Sequence, residues 1–192
     1  MNPWMQTHDF TGEVKIYYDN LSDHLVRFRR NIFVETGTFL GNGLQCALQA
    51  GFRRCYTIEI HEHLWQAAQQ RFSTEIQTEQ VISLLGNSEA LLLNIVQQLT
   101  EPAVFWLDAH VSGQYGDKKA KNCPIMEELQ AIDQSKFRNH VLLIDDLVCF
   151  GHKKHDRISL DLVKAEILKI NPAYKFELLD AAIPKNILGA YV

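Results

Sequence analysis

Short apolar runs alternate along the chain with stretches whose apolar residues recur every three or four positions. Such runs, bounded by polar residues, are typical of strands buried on both faces, and the intervening spacing is typical of amphipathic helices. The predicted strands are 32–34, 54–60, 80–85, 103–110 and 140–146. The predicted helices are 19–30, 43–50, 61–76, 89–99, 123–132 and 157–170. This alternation predicts an α/β fold with a doubly wound, mostly parallel sheet.

The last part of the chain breaks the alternation. Two further strands are predicted at 174–179 and 187–192, and the Pro-containing link between them is too short for a crossover helix. The two strands must therefore pair antiparallel, which gives a seven-stranded sheet with a C-terminal antiparallel hairpin. We expect a single domain over 1–192, with an N-terminal extension or helix at 1–30 and a Rossmann-like core at 31–192.

The first strand leads into a glycine-rich turn. Glu35 ends the apolar run, and Gly37, Gly41 and Gly43 follow before the next helix. Glycine suits turns of positive φ and leaves space for a ligand, toward which the next helix presents free N–H groups. A dinucleotide fingerprint would need glycine where Cys46 stands, and the Gly-Lys-Ser/Thr triplet of a P-loop is absent from the sequence. An ordinary βα turn with surplus glycine is the alternative interpretation.

The turn has the pattern E-x-G-x-x-x-G-x-G, with every fixed position filled. This pattern resembles motif I of the class I S-adenosylmethionine-dependent methyltransferases, and five parallel strands closed by an antiparallel hairpin also resemble their fold. The resemblance implies S-adenosylmethionine as the cofactor, with its methionine part cradled by the turn. The first-loop residues implied to hold it are Glu35, Thr36, Gly37, Thr38, Gly41 and Gly43.

The second and third strands end in residues suited to an adenosine group. Glu59 ends the second strand, and a carboxylate has two oxygens at the spacing of a ribose diol. Asn87 and Ser88 follow the third strand, where the family carries a small-acidic-small turn that contacts adenine. Asn87 replaces the acid but still offers a side-chain oxygen. Ser88 either contacts adenine or caps the helix at 89–99.

Three carboxylates end the fourth and fifth strands. Asp108, Asp145 and Asp146 should converge at the cofactor crevice, where their mutual repulsion would favour Mg²⁺, Mn²⁺ or Ca²⁺. They resemble the metal site of metal-dependent O-methyltransferases of the TylF type, although the sequence after the fourth strand differs and that group's larger N-terminal segment is missing. The alternative is that Asp145 or Asp146 caps the next element, while Asp108 binds substrate.

His110 is the best candidate for a general base, with Asp108 as the second catalytic residue. An imidazole of ordinary pKa near ~6.5 can accept a hydroxyl proton at neutral pH. His152 or His155, on the loop after the fifth strand, could serve instead. Any of the three histidines could also be merely solvated.

Composition narrows the classes of partner. The chain has 192 residues and a formal net charge of −4, which gives no reason to expect a nucleic-acid surface. Its four scattered cysteines indicate reduced thiols, and the sequence shows neither a signal peptide nor a membrane-spanning segment, so we expect a cytoplasmic protein. The Asn/Asp-Pro-Pro-Tyr/Phe turn of DNA amino-methylating enzymes is absent after the fourth strand, which disfavours base methylation.

The sequence therefore predicts an S-adenosylmethionine-dependent methyltransferase that acts on a small-molecule hydroxyl, with or without a divalent metal such as Mg²⁺. Two alternatives remain open: a non-catalytic cofactor-binding partner of the same fold, and an NAD(P)-dependent oxidoreductase. Residues 1–30 and 111–122 are the expected specificity segments, but they do not identify the acceptor. Whether the chain forms a homodimer is also left open.

Overall fold

Seven strands form one sheet in the computed structural model, which describes residues 12–110 and 122–192. The strands are β1 Ile32–Thr36, β2 Arg54–Glu59, β3 Val81–Leu85, β4 Ala103–Leu107, β5 Val141–Ile144, β6 Lys175–Leu179 and β7 Ile187–Tyr191. Their order across the sheet is β3-β2-β1-β4-β5-β7-β6. Strands β1 to β5 are parallel, and β7 pairs antiparallel with both β5 and β6. The predicted sheet and its C-terminal hairpin are confirmed.

The helices are close to those predicted, with two differences. They are α1 Gly12–Arg27, α2 Asn42–Gln49, α3 Glu62–Arg71, α4 Ser73–Gln77, α5 Ser88–Gln98, α6 Ile125–Asp133 and α7 Leu160–Ile170. Helix α1 begins before the predicted start at 19 and ends before 30. The predicted helix 61–76 is two helices, broken at Phe72, whose backbone leaves the helical region (φ −110°, ψ 29°). Of the expected specificity segments, residues 1–11 and 111–121 lie outside the described residues.

Apolar side chains fill the space on both faces of the sheet. Leu21 of α1 and Leu44 of α2 pack in the cluster on one face, and Leu92 of α5 and Leu129 of α6 pack in the cluster on the other. Successive residues of a strand point to opposite faces, so fully buried runs such as β1 and β4 serve both clusters. None of the helices in the described ranges is long and apolar enough to cross a membrane.

The topology places one crevice at the centre of the sheet. Strand β1 pairs with β2 on one side and with β4 on the other, so the strand order reverses there. In open α/β sheets, ligands bind outside the carboxyl ends of the strands at this reversal. The turn after β1 and the residues after β4 are therefore brought together.

Candidate active site

The turn between β1 and α2 is held against β2 by backbone hydrogen bonds. The N–H groups of Gly37 and Thr38 donate to the Ile58 carbonyl at 2.9 and 3.1 Å, and the Gly41 N–H donates to the Thr38 carbonyl at 2.8 Å. Gly37 and Gly41 have φ values of +83° and +78°, a region that side chains other than glycine disfavour. The predicted need for positive φ in this turn is confirmed.

The glycines are also required by contacts within the protein. A Cβ on Gly37 would lie 2.5 Å from the Asp108 carbonyl oxygen, and one on Gly41 would lie 2.6 Å from the Phe72 ring. A Cβ on Gly43 would collide with the Glu35 carboxylate. That these positions keep space open for a ligand stays a prediction, and the contacts within the protein give a second reason for glycine at all three.

Glu35 lies beneath the turn and supports it. Its side chain is 1% exposed, and Thr57 Oγ1 donates to Glu35 Oε2 at 2.6 Å. Burial raises the pKa of Glu35 to about 8, against the opposing effect of hydrogen bonds from Thr57 and the Leu44 N–H. Thr38 joins the same group, with its Oγ1 2.5 Å from Thr57 Oγ1. Glu35 and Thr38 therefore point into the protein, and a cofactor would meet the backbone above them.

Glu59 ends β2 beside the turn, at the predicted place. Its Oε2 accepts a hydrogen bond from the Phe39 N–H at 2.7 Å, and its Oε1 accepts one from the His61 N–H at 2.9 Å. A carboxylate offers about four acceptor positions, so each oxygen keeps one for a further donor. The site thus combines a fixed carboxylate with remaining acceptor capacity.

The turn after β3 differs from prediction in one detail. Asn87, and not Ser88, is the N-cap of α5: its Oδ1 accepts from the Glu89 N–H at 3.1 Å. Ser88 is the first helical residue and is buried. The capping alternative predicted for Ser88 was therefore wrong, because the helix begins one residue earlier than expected.

The residues after β4 and β5 form a charged group. His110 Nε2 lies 3.2 Å from Asp108 Oδ1 and 3.0 Å from Asp146 Oδ2. The His110 side chain is 8% exposed, whereas Asp108 is 30% and Asp146 is 41% exposed. Asn186 holds Asp146 from the hairpin side by donating from Nδ2 to Asp146 Oδ1 at 3.3 Å. The His110 ring thus lies between two carboxylates, and both carboxylates remain partly exposed to solvent.

Electrostatics in this group favour a charged imidazole. Burial lowers the pKa of His110, but the hydrogen bond to Asp146 and the charges of Asp108, Asp146 and Asp145 outweigh it and raise that pKa to about 9. The hydrogen bond to His110 lowers the pKa of Asp146. Burial raises the pKa of Asp108 well above its ordinary value, opposed by His110 and reinforced by Asp145 and Asp146. At neutral pH His110 already carries a second proton and cannot accept another.

His155 is the nearest neutral alternative. Its side chain is 3% exposed, and its ring centroid lies 4.7 Å from that of His110. Burial and the charge on His110 lower the pKa of His155, so its imidazole is neutral at pH 7. His152, the other predicted alternative, is exposed.

Solved structures share this architecture. The O-methyltransferase TomG from Streptomyces achromogenes, in complex with SAM, is 16% identical, with a TM-score of 0.61 over 91% of this chain and 78% of TomG. The SAH-bound methyltransferase PaMTH1 from Podospora anserina is 12% identical, with a TM-score of 0.61 over 89% of this chain and 75% of that protein. The chain has the class I methyltransferase fold.

The methyltransferase fold does not by itself define the reaction. Spermidine synthase from Thermotoga maritima also superposes, at 13% identity and a TM-score of 0.59 over 91% of this chain and 58% of that enzyme. No protein-family model matches the sequence, and no curated protein sequence matches it. The reaction must therefore be argued from the site.

The predicted metal site of this methyltransferase fold is not assembled. Within residues 12–110 and 122–192, no three His, Cys, Asp or Glu side chains are grouped so that they could hold a metal ion. The His110 ring lies between Asp108 and Asp146, where a cation bridging these carboxylates would sit. Asp146 is the residue before the short 3₁₀ turn Leu147–Cys149, but its side chain does not cap that turn. In this arrangement the His110 imidazolium offsets the charges of Asp108 and Asp146.

One residue of the site was missed in the sequence. Glu128 of α6 is 1% exposed, and the hydroxyls of Ser88 and Thr36 lie beside its carboxylate. Burial raises the pKa of Glu128 to about 7, although these hydroxyls and His110 oppose the shift. The sequence pattern could have identified this residue as a buried acid. Glu128 lies three residues after Ile125 and four before Ile132, on the apolar face of its helix.

The space beside the glycine turn is small in this conformation. A cavity of about 30 Å³, lined by Leu21, Leu40, Trp106 and Asp108 among others, lies between α1 and the turn. This volume suits one water molecule. Phe39 and Leu40, which also line this cavity, are 42% and 40% exposed.

Proposed function

We propose that this protein is an S-adenosylmethionine-dependent methyltransferase that methylates a hydroxyl oxygen of a small molecule. One observation carries the proposal: the glycine turn lies next to the cluster of Asp108, His110 and Asp146. Gly37 is packed directly against the Asp108 backbone, and the Asp108 side chain leads to His110 and Asp146. A donor held above the turn would therefore lie next to a proton acceptor. TomG and PaMTH1, which share the fold, are described as methyltransferases with SAM or SAH bound.

The described residues fit this cofactor at three points. The turn from Gly37 to Gly43 would face its methionine part through the backbone, while Glu35, Thr36 and Thr38 support that backbone from inside the protein. Glu59 would accept the ribose hydroxyls with its remaining lone pairs. Asn87 and Ser88 would face adenine. When bound, the cofactor supplies an electrophilic methyl group.

Asp108 is the proposed general base. It is more exposed than His110, and its raised pKa makes its carboxylate a stronger proton acceptor than an ordinary aspartate. The hydroxyl proton would move to Asp108 Oδ2, while His110 Nε2 stays 3.2 Å from Asp108 Oδ1 and its N–H donates to Asp146 Oδ2. The imidazolium then holds the carboxylate in position and is not consumed. This assignment reverses the predicted roles of Asp108 and His110, since His110 is already protonated.

Turnover in this scheme requires no divalent metal, because imidazolium already lies between Asp108 and Asp146. Activity with a hydroxyl acceptor should therefore survive removal of divalent cations by a chelator. Activity that is lost with chelator and restored by Mg²⁺ would contradict this part of the proposal and favour a rearranged carboxylate site.

A binding comparison followed by a transfer assay tests the proposal. Calorimetry should show binding of S-adenosylhomocysteine and none of NAD(P), and Glu59→Gln should weaken that binding about tenfold by removing a charged acceptor. Methyl transfer should then be found in a panel of hydroxyl, amine and carboxyl acceptors, with hydroxyl compounds preferred. Binding of NAD(P) alone would refute the proposal. Tight cofactor binding without transfer to any class would indicate a non-catalytic partner protein.

A further inference from the structure

The opposite edge of the sheet carries a second, unassigned concavity. It has a volume of about 530 Å³ and lies at the amino ends of β1, β2 and β4, a strand length away from the candidate active site. Five residues of β1 at ~3.3 Å each put the two sites about 17 Å apart. The concavity is lined by Arg29, Arg30, Asn31, Gly51, Arg53, Glu101 and Pro102.

Charge in this concavity is strongly one-sided. Three guanidinium groups face one carboxylate, in a protein whose overall formal charge is −4. The carboxylate, Glu101, is engaged by Asn31, whose Nδ2 donates to both Glu101 oxygens at 2.9 and 3.1 Å. Within the described part of the chain, Arg29, Arg30 and Arg53 form no ion pair with Glu101 or any other acid. Among the described residues, these three positive charges are therefore left without a counterion.

The guanidinium groups are held near the concavity and still have donors to offer. Arg29 Nη1 reaches the Ala50 carbonyl at 3.4 Å, and Arg30 Nη2 donates to the Asn139 carbonyl at 2.9 Å. Arg30 Nε is buried and makes no hydrogen bond among the described residues. Arg53 is exposed, and its backbone N–H is fixed by the Asn31 carbonyl at 2.9 Å. A guanidinium has five N–H donors, so each keeps several for a ligand.

We propose that this concavity binds a compact polyanion that carries phosphate groups, separately from the methyl-transfer site. Arginine forks match the geometry of phosphate oxygens and form charge-assisted hydrogen bonds with them. The described lining residues include no aromatic ring on which a nucleobase could stack, which favours recognition of the phosphate over a base. The volume lies within the range of small-molecule sites.

Pyrophosphate is the probe, and two neighbouring arginines give a matched pair of variants. Arg53 lines the concavity, whereas Arg54, the next residue and also exposed, does not. Calorimetry at fixed, low ionic strength should show pyrophosphate binding to the wild-type protein. Arg53→Gln should weaken it about tenfold or more, and Arg54→Gln by less than about twofold. Unchanged S-adenosylhomocysteine affinity and circular dichroism will show that both variants are folded.

Other results would overturn the proposal. One is that the wild-type protein does not bind pyrophosphate. The other is that Arg53→Gln and Arg54→Gln weaken pyrophosphate binding equally, which would indicate a diffuse positive surface without a site. A single-stranded oligonucleotide provides a further test. If it binds more tightly than pyrophosphate and loses affinity equally in both variants, the surface follows nucleic-acid backbones and the proposal fails. If it does not displace pyrophosphate, a free polyphosphate is the ligand.

Discussion

The two edges of the same parallel strands have opposite chemistry. At the carboxyl edge of β1, β2 and β4, the carboxylates are buried or half-buried and have partners. Glu35 and Glu59 accept hydrogen bonds, and Asp108 forms an ion pair with His110. At the amino edge, Arg29 and Arg53 are exposed and lack an acidic partner among the described residues. Burial raises the pKa values of Glu35 and Asp108 at the first edge, so proton chemistry belongs there. The concavity at the second edge instead carries mainly positive charge.

The direction of the helices explains why the two edges differ in sign. Each βα connection brings a helix N-terminus to the carboxyl edge and a helix C-terminus to the amino edge. Free N–H groups at N-termini favour carboxylates, as where the Leu44 N–H of α2 bonds Glu35. Free carbonyls at C-termini favour cations, as where Arg29 reaches Ala50 at the end of α2. The same helix thus stabilises an acid at one end and an arginine at the other.

Removing the proposed base should have the largest effect. Asp108→Asn keeps the shape and deletes the proton acceptor, so the rate of methyl transfer should fall about 10²–10⁴-fold. In the wild-type enzyme, activity should also be lost as the pH falls through the raised pKa of Asp108, because its carboxylate form is required. Steady-state kinetics over a pH series provide the measurement.

Cofactor binding provides the control for this variant. Calorimetry with S-adenosylhomocysteine should show less than about a threefold change in Asp108→Asn. A variant with undiminished kcat would remove Asp108 from the mechanism and leave His155 as the base to test next.

Gly37→Ala should be the next largest change. The substitution forces a side chain into the positive-φ region, which costs roughly 1–2 kcal/mol, and drives its Cβ to 2.5 Å from the Asp108 carbonyl oxygen. Overpacking of this kind adds roughly 1–3 kcal/mol. Thermal or urea unfolding should show the loss, and S-adenosylhomocysteine binding should weaken because the turn must shift.

Gly151→Ala is a matched control for that substitution. Gly151 has φ +82°, close to the +83° of Gly37, but a Cβ there would meet nothing within 4 Å. It should therefore show the cost of backbone strain alone, without the collision. Equal destabilisation of both variants would mean that the packing of Gly37 against Asp108 contributes nothing.

Much of the fold could be predicted because it depends on local patterns. Continuous apolar runs placed β1 and β4 in the centre of a parallel sheet, and the short link before Ile187 required an antiparallel final strand. The break at Phe72 could not be predicted, since Phe72 fits the apolar pattern of the helix and its ring lies beside Gly41, a contact distant in sequence. Local periodicity contains no information on such a contact.

The site was predicted less completely, for a related reason. The positions of Asp108, His110 and Asp146 follow from strand ends, but their protonation depends on which side chains face one another. His110 was predicted as a base from its ordinary pKa, yet three carboxylates that follow two different strands raise that pKa to about 9. Charge states of this kind require distances, which the sequence does not supply.

Glu128 gives a smaller, pH-dependent effect at the carboxyl edge. Its pKa is raised from 4.5 to about 7, so the folded state holds the proton more tightly and stability is lost as the pH rises through about 7. Glu128→Gln should remove this dependence on pH. The difference in free energy of unfolding between the variant and the wild type should shift in favour of the variant by about 1–3 kcal/mol from pH 4.5 to pH 8. Urea unfolding at both pH values measures the difference.

Ser88→Ala tests the cause of that shift. The Ser88 hydroxyl lowers the pKa of Glu128, so its removal should raise that pKa further and make the loss of stability with pH larger. An unchanged pH dependence in both variants would show that the Glu128 carboxyl does not titrate between the folded and unfolded states.

The amino edge should give the smallest effect, and one of opposite sign. Arg53 shares a concavity with Arg29 and Arg30, so replacing it with Gln relieves repulsion between like charges. Because the group is exposed and screened, the free energy of unfolding should rise by only about 0.3 kcal/mol at low salt. The gain should vanish in high salt, where the Debye length falls to ~3 Å.

Added pyrophosphate should reverse the order of stability, because only the wild-type concavity then holds its counterion. If Arg53→Gln remains more stable than the wild type in high salt, the effect comes from packing and not from charge. The electrostatic difference between the two edges would then be refuted.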